Sequence, residues 1–233
     1  MVPISDANPT RRFPVVNWTL IAINILVFLY EVSLPSAQLD RLIATWGIVP
    51  TKLLLAVAHP TQAPLTVWAT LFTSLFLHAG WAHILGNLLF LFVFGDNIED
   101  VLGHLVYLAF YVFSGIVAGI TQVLAMGPST IPSIGASGAI AGVLGAYVVL
   151  YPWARIHILL PLFILFWTIE IPAIFVIGWW FIQQFLYGIT TLTATAASGI
   201  AFWAHIGGFL MGMILILPFI RRAHRRATPV YNG

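Results

Sequence analysis

The stretch GASGAIAGVLGAYVVLYP, Gly135 to Pro152, contains no charged residue and carries one serine, Ser137, third from its start. Gly138 with Gly142, and Ala141 with Gly145, recur at four-residue spacing, the pattern that lets apolar helices approach closely in lipid. The run belongs to a longer charge-free window, Val101 to Ala154, and two more flank it, Leu53 to Gly95 and Ile171 to Ile220. Each window has room for one or two membrane spans of about 20 residues. Across the 233 residues only 7% are charged and 61% are hydrophobic, with a mean hydropathy of +1.00; soluble domains average about 25% charged. Lipid is therefore the solvent of most of the chain. A disordered chain and a soluble nucleic-acid binder are excluded, since the net charge is only +2. The absence of cysteine excludes disulfides, zinc thiolates, thiol nucleophiles and cysteine-held iron–sulfur clusters.

Turn residues divide the windows into six expected spans: about Asn17–Leu34, Leu65–Gly95, Val101–Met126, a fourth ending near Pro152, Ile171–Gly188 and Gly199–Ile220. Pro35 to Pro64 is a polar, proline-punctuated connection. Ile156 to Ile169 is apolar but only fourteen residues long with an internal proline, and reads as interfacial or re-entrant. Six spans place Arg11, Arg12, Arg155, Arg221, Arg222, Arg225 and Arg226 on one side, as the positive-inside rule expects of a cytoplasmic face. The first span reads as an uncleaved anchor, because no small-residue cleavage site follows it. One domain, residues 1–233 with a core about 17–220 and short cytoplasmic tails, accounts for the chain.

Hydrocarbon offers polar side chains no hydrogen bonds, so those inside a span point to function. His83 and Asn87, four apart in His-Ile-Leu-Gly-Asn, share one helical face. Ser137 and His205 lie on the fourth and sixth spans. Ser137 stands 16 residues before Trp153 and His205 16 before Arg221, roughly 24 Å above the inner boundary of a core about 30 Å thick. That level requires the fourth helix to begin inside the membrane. Counting from Asp96 sets Asn87 and His83 roughly 14 and 20 Å above the same boundary. Taken singly, Ser137 is an ordinary helix N-cap and Asn87 or His205 ordinary glue between helices; agreement in depth among four residues of three spans is what marks a site.

A serine hydroxyl becomes a nucleophile when a base accepts its proton, and histidine is suited to that role. Glu170, the sole acid near a span beyond Asp100, falls at the inner end of the fifth span, so a Ser–His dyad is expected and no triad. Asn87, His83 and backbone N–H groups at the start of the fourth helix could serve a developing oxyanion, and Gly135 and Gly138 would let a substrate backbone approach. Gly-Ala-Ser-Gly-Ala lacks the second glycine of the α/β-hydrolase elbow. His78 reads as a supporting residue. His59, His104, His157 and His224 read as solvated, and Trp179, Trp180, Phe181 and Phe185 as lipid-facing or packing residues.

The segments His78-Ala-Gly-Trp-Ala-His83-Ile-Leu-Gly-Asn87, Gly135-Ala-Ser137-Gly138 and Ala204-His205-Ile206-Gly207-Gly208 together resemble the motifs of rhomboid intramembrane serine proteases, in family order and with family-like separation. The resemblance implies an all-α, six-helix polytopic bundle that cleaves transmembrane substrates near their outer ends, in a wet cavity reached sideways from lipid. It implies Ser137 as nucleophile, His205 as general base and then acid, and His83, Asn87 and the Ser137 N–H as oxyanion donors. Pro35–Pro64 would be the first loop, half-embedded in the outer leaflet, Gly188–Ser198 a mobile cap, and the fifth span the side wall toward substrate. The tyrosine that some members stack on the histidine is Ala141 here, and Trp46-Gly47 does not match the loop Trp-Arg pair of some members.

The expected partners are single-span transmembrane proteins and membrane lipid, with no cofactor, metal or nucleic acid, in what is expected to be a prokaryotic plasma membrane. Rival readings are a catalytically silent rhomboid-like membrane chaperone, a transporter, and a haem or metal carrier using His78, His83 and His205.

Overall fold

A computed structural model describes residues 2–162, 165–193 and 200–227. Five of its helices are long and apolar enough to cross a membrane: α1 (Val15–Ser33), α5 (Trp81–Leu102), α6 (His104–Met126), α8 (Ala173–Thr193) and the helix that runs on from α9 (Phe202–Ile216). Shorter helices are α2 (Ser36–Trp46), α3 (Pro50–Ala58), α4 (Leu65–Thr73), α7 (Ser137–Leu150) and α10 (Ile220–Ala227).

The quoted stretch becomes α7, the centre of the bundle. Every residue from Gly138 to Tyr147 is buried, as expected of a helix apolar on all sides, and α5, α6 and α9 surround it. The glycine pairs set its distance from α9. A Cβ added at Gly208 would stand 2.0 Å from the carbonyl oxygen of Gly138, and one at Gly212 only 1.9 Å from that of Gly142, so the two backbones touch. α9 also rests on α6, where Thr121 fills the space beside Gly207 and the Gln122 side chain accepts from the Ala204 N–H at 3.2 Å, satisfying one of the orphan donors of the first turn of α9.

The expected second span, Leu65–Gly95, is two helices. α4 ends in a 3-10 turn, Ser74–Phe76, and the chain is non-helical from Leu77 to Gly80 before α5 begins. Glu31 of α1 makes the break tolerable: its buried carboxylate accepts the His78 N–H at 3.1 and 3.2 Å, a donor that a helix would have satisfied itself. α1 is fixed at its other end by Glu99 of α5, which accepts the N–H groups of Val16 and Asn17 at 2.9 and 2.7 Å and pairs with His104 at 2.5 Å. His104 is thus a hydrogen-bond partner of Glu99 as well as a solvated end residue.

Ile156–Ile169 forms most of an antiparallel hairpin of β2 (Arg155–Leu162) and β3 (Leu165–Pro172), with β1 (Val2–Asp6) paired to β2. The physical reason is a period of two: Ile156 and Ile158 are buried while His157 between them is not, and Glu170 is exposed between the half-buried Ile169 and Ile171. Glu170 sits in β3, 3.4 Å from Arg155. β1 is further tied to the bundle because the Tyr147 hydroxyl of α7 donates to Asp6 and Asn8 donates to Tyr147 at 2.8 Å. Burial raises the Asp6 carboxyl to about 6. Arg222 bonds the Leu102 carbonyl at 3.2 Å, so β1, the end of α5, Arg155 and the start of α10 lie at one end of the molecule.

At the other end, α2 and α3 pack on α4. In place of a Trp-Arg anchor, this loop is held by main-chain and threonine hydrogen bonds: Ile48 and Ser133 exchange backbone bonds of 3.0 and 2.8 Å, the Thr51 N–H and hydroxyl both reach the Ser129 carbonyl at 3.0 Å, and the Thr73 hydroxyl donates to the Trp46 carbonyl at 2.7 Å.

Candidate active site

α7 starts at Ser137 itself, so the N–H groups of its first turn have no acceptor within the helix and the positive end of its dipole lies at the serine. The Ser137 Oγ is 2.8 Å from His205 Nε2. This contact spans 68 residues and joins two helices whose spacing the glycines fix. The other ring nitrogen, Nδ1, lies 2.7 Å from Gln184 Oε1 on α8, and the Trp180 ring, one turn earlier on α8, packs against the imidazole with centroids 5.7 Å apart. Neither residue is among the expected site residues; Gln184 carries the signal that marks them, a polar side chain in an apolar span, and Trp180, expected as a lipid-facing or packing residue, packs on the imidazole itself. The pair expected as a dyad therefore has a third member, a neutral amide and no carboxylate.

His83 and Asn87 face the same cavity as Ser137, His205 and Trp180, a space of about 690 Å³, within the range of ligand-sized sites. His83 Nδ1 accepts the Ala79 N–H at 3.3 Å, which leaves the proton of a neutral ring on Nε2. That atom faces Gly135, where φ is +124° and a Cβ would come within 2.7 Å of it; only glycine combines that backbone with that contact. The Gly135 N–H is engaged by the Ser74 carbonyl at 2.8 Å, so Gly135 contributes space and not a donor. Asn87 is buried, and its Nδ2 has no acceptor among the described residues, an unsatisfied donor at the wall of the cavity. His78 lies outside α5 in the non-helical link; its ring meets that of His83 edge-on with centroids 5.1 Å apart, and its Nδ1 is 3.2 Å from the Phe76 carbonyl. Both ring nitrogens of His205 are engaged, and among the described residues no group of three His, Asp or Glu is placed to hold a metal.

α8 packs on α9 and at its lower end on β2 and β3. Of the cap expected at Gly188–Ser198, Gly188 to Thr193 continues α8, and 194–199 lies outside the described residues.

Long apolar helices make this an integral, multi-pass membrane protein, and near its centre a serine hydroxyl and an imidazole meet in a part-buried contact. The family model described as the Rhomboid domain matches residues 65–222. The chain belongs to the rhomboid family. It is 34% identical over 137 residues to the YdcA protein of Bacillus subtilis (strain 168), across 59% of this chain and 62% of that one. It is 27% identical over 160 residues to the chloroplastic Rhomboid-like protein 11 of Arabidopsis thaliana, across 64% and 51%, and 34% identical over 134 residues to Rhomboid protease GluP of Bacillus subtilis (strain 168), across 57% and 24%. The chain spans between a quarter and three fifths of the length of these relatives.

Proposed function

We propose that the protein is an intramembrane serine endopeptidase that cleaves single-span transmembrane proteins near their outer ends through Ser137 and His205. The observation that carries this is the 2.8 Å contact between Ser137 Oγ and His205 Nε2 at the wall of a cavity large enough for a peptide segment; membership of a family that includes a named protease adds to it.

The geometry suits acyl transfer. His205 Nε2 takes the hydroxyl proton as Oγ attacks the scissile carbonyl, and the carbonyl electrons move onto oxygen. Asn87 Nδ2, His83 Nε2–H and the Ser137 N–H are the donors for that oxyanion. The imidazolium returns its proton to the departing amine, and the acyl-enzyme forms. Water then attacks with His205 again as base, releasing the carboxylate and restoring the serine. A niche of about 20 Å³ beside Ser137, walled by Gly138, Ala118, Ala201 and Ala204, has room for little more than a methyl group and favours a small residue before the cut. α7, at fourteen residues, would be the sixth crossing. The clustering of the β1 end, Arg155 and Arg222 supports a cytoplasmic location for both termini.

Incubating the detergent-solubilised protein and its Ser137→Ala form with a panel of single-span proteins tests the reading: wild type cuts at least one near its outer end, and the variant cuts none. Cleavage by both, or by neither, overturns it, the latter in favour of a silent chaperone. Asn87→Ala lowers kcat roughly 10²-fold with little change in KM if Asn87 serves the oxyanion; a raised KM at unchanged kcat removes it from that role.

A further inference from the structure

We infer that Gln184 is a positioning residue that holds His205 in the one tautomer able to take the serine proton, an inference that rests on the proposed protease reading. A neutral imidazole has a single N–H. With Gln184 Oε1 2.7 Å from Nδ1, an amide oxygen can only accept, so Nδ1 carries the hydrogen and the Nε2 lone pair faces the Ser137 hydroxyl. With Oε1 turned to Nδ1 as it is here, the opposite tautomer would press two lone pairs together at Gln184 and leave Ser137 without a base.

The rest of the surroundings agree. Gln184 is 9% exposed on a helix whose next two residues, Phe185 and Leu186, are 45% and 55% exposed, so it points inward. Trp180, four residues earlier and on the same face, lies against the ring and fixes its plane. From α7 no such support is available, because Ala141 ends at Cβ. Both groups that orient the base therefore come from α8, and the base is set only while α8 is seated on α9.

The test uses the full chain with ¹⁵N-labelled histidine in micelles, the His205 signal being assigned with His205→Gln, together with steady-state cleavage. The expected wild-type spectrum has the His205 proton on Nδ1. Gln184→Leu loses that single tautomer and lowers kcat about ten- to a hundredfold with KM within about twofold. Gln184→Glu, which restores an acceptor, recovers most of the rate, and Leu186→Ala, on the exposed side of α8, behaves as wild type. A proton on Nε2 in the wild type, or Gln184→Leu with the wild-type spectrum and kcat, overturns the inference; should Gln184→Leu fail to fold, the wild-type spectrum and Gln184→Glu decide. The spectrum needs no turnover. An Nδ1–H signal in a protein that cleaves nothing would refute the protease reading and leave the tautomer assignment standing, whereas cleavage by a protein protonated at Nε2 would refute the tautomer assignment alone.

Discussion

Purified wild-type protein is covalently labelled by a fluorophosphonate, Ser137 Oγ displacing fluoride from phosphorus, and neither Ser137→Ala nor His205→Ala is labelled. Peptide cleavage falls with the label, by a factor on the order of 10⁴ or more in each variant, since groups that act as one unit cost about as much singly as together. The basis is the single contact from Oγ to Nε2: without the imidazole the hydroxyl keeps its proton, and without the hydroxyl nothing attacks. Asn87, His83 and the niche beside Ser137 remain in both variants, so substrate binding persists and the loss is in kcat. Chelators leave labelling and cleavage unchanged, because no step passes through a metal. Equal labelling of either variant would end the assignment of that residue.

The second large effect lies where α7 meets α9. Gly208→Val or Gly212→Val prevents folding, and each alanine variant costs about 2–3 kcal/mol or more, because a Cβ at either position would stand at 2.0 or 1.9 Å from a carbonyl oxygen of α7. Backbone cannot yield as the end of a flexible side chain can. A titration with sodium dodecyl sulfate, followed by tryptophan fluorescence, reads the change as a lowered midpoint. Gly178→Ala is the control: nothing lies within 4 Å of its added Cβ, and the helix gains up to about 1 kcal/mol. Alanine variants of Gly208 and Gly212 as stable as wild type would show that α7 and α9 do not touch.

The four residues Ser137, His205, His83 and Asn87 are legible in the sequence because hydrocarbon makes polar side chains conspicuous and helix rise converts position into depth. The glycine spacing is legible for a similar reason, since Gly208 and Gly212 have no other use in a span than close approach. Gln184 obeys the same rule, yet nothing in the sequence orients α8 about its axis, and an amide in a span reads equally well as a bond between helices. The break at Leu77–Gly80 depends on Glu31, 47 residues away from His78, a tertiary debt that local pattern does not record. In the hairpin, high apolarity hides the alternation Arg155-Ile156-His157-Ile158, and β1 is paired only because residues 150 or more positions apart come together. The anchoring of the first loop likewise ends on main-chain carbonyls, reached by the Ile48–Ser133 bridge and by the hydroxyls of Thr51 and Thr73, acceptors that side-chain identity does not reveal.

Because α7 and α9 meet main chain to main chain at Gly138, Gly142, Gly208 and Gly212, with the Ser137–His205 contact between them, they form one closely packed block bearing both of those side chains. α8 packs on that block and carries Gln184, so under the proposed protease reading the helix that walls one side of the cavity is also the one that cocks the imidazole: lifting α8 away from α9 would disarm the base without touching the serine.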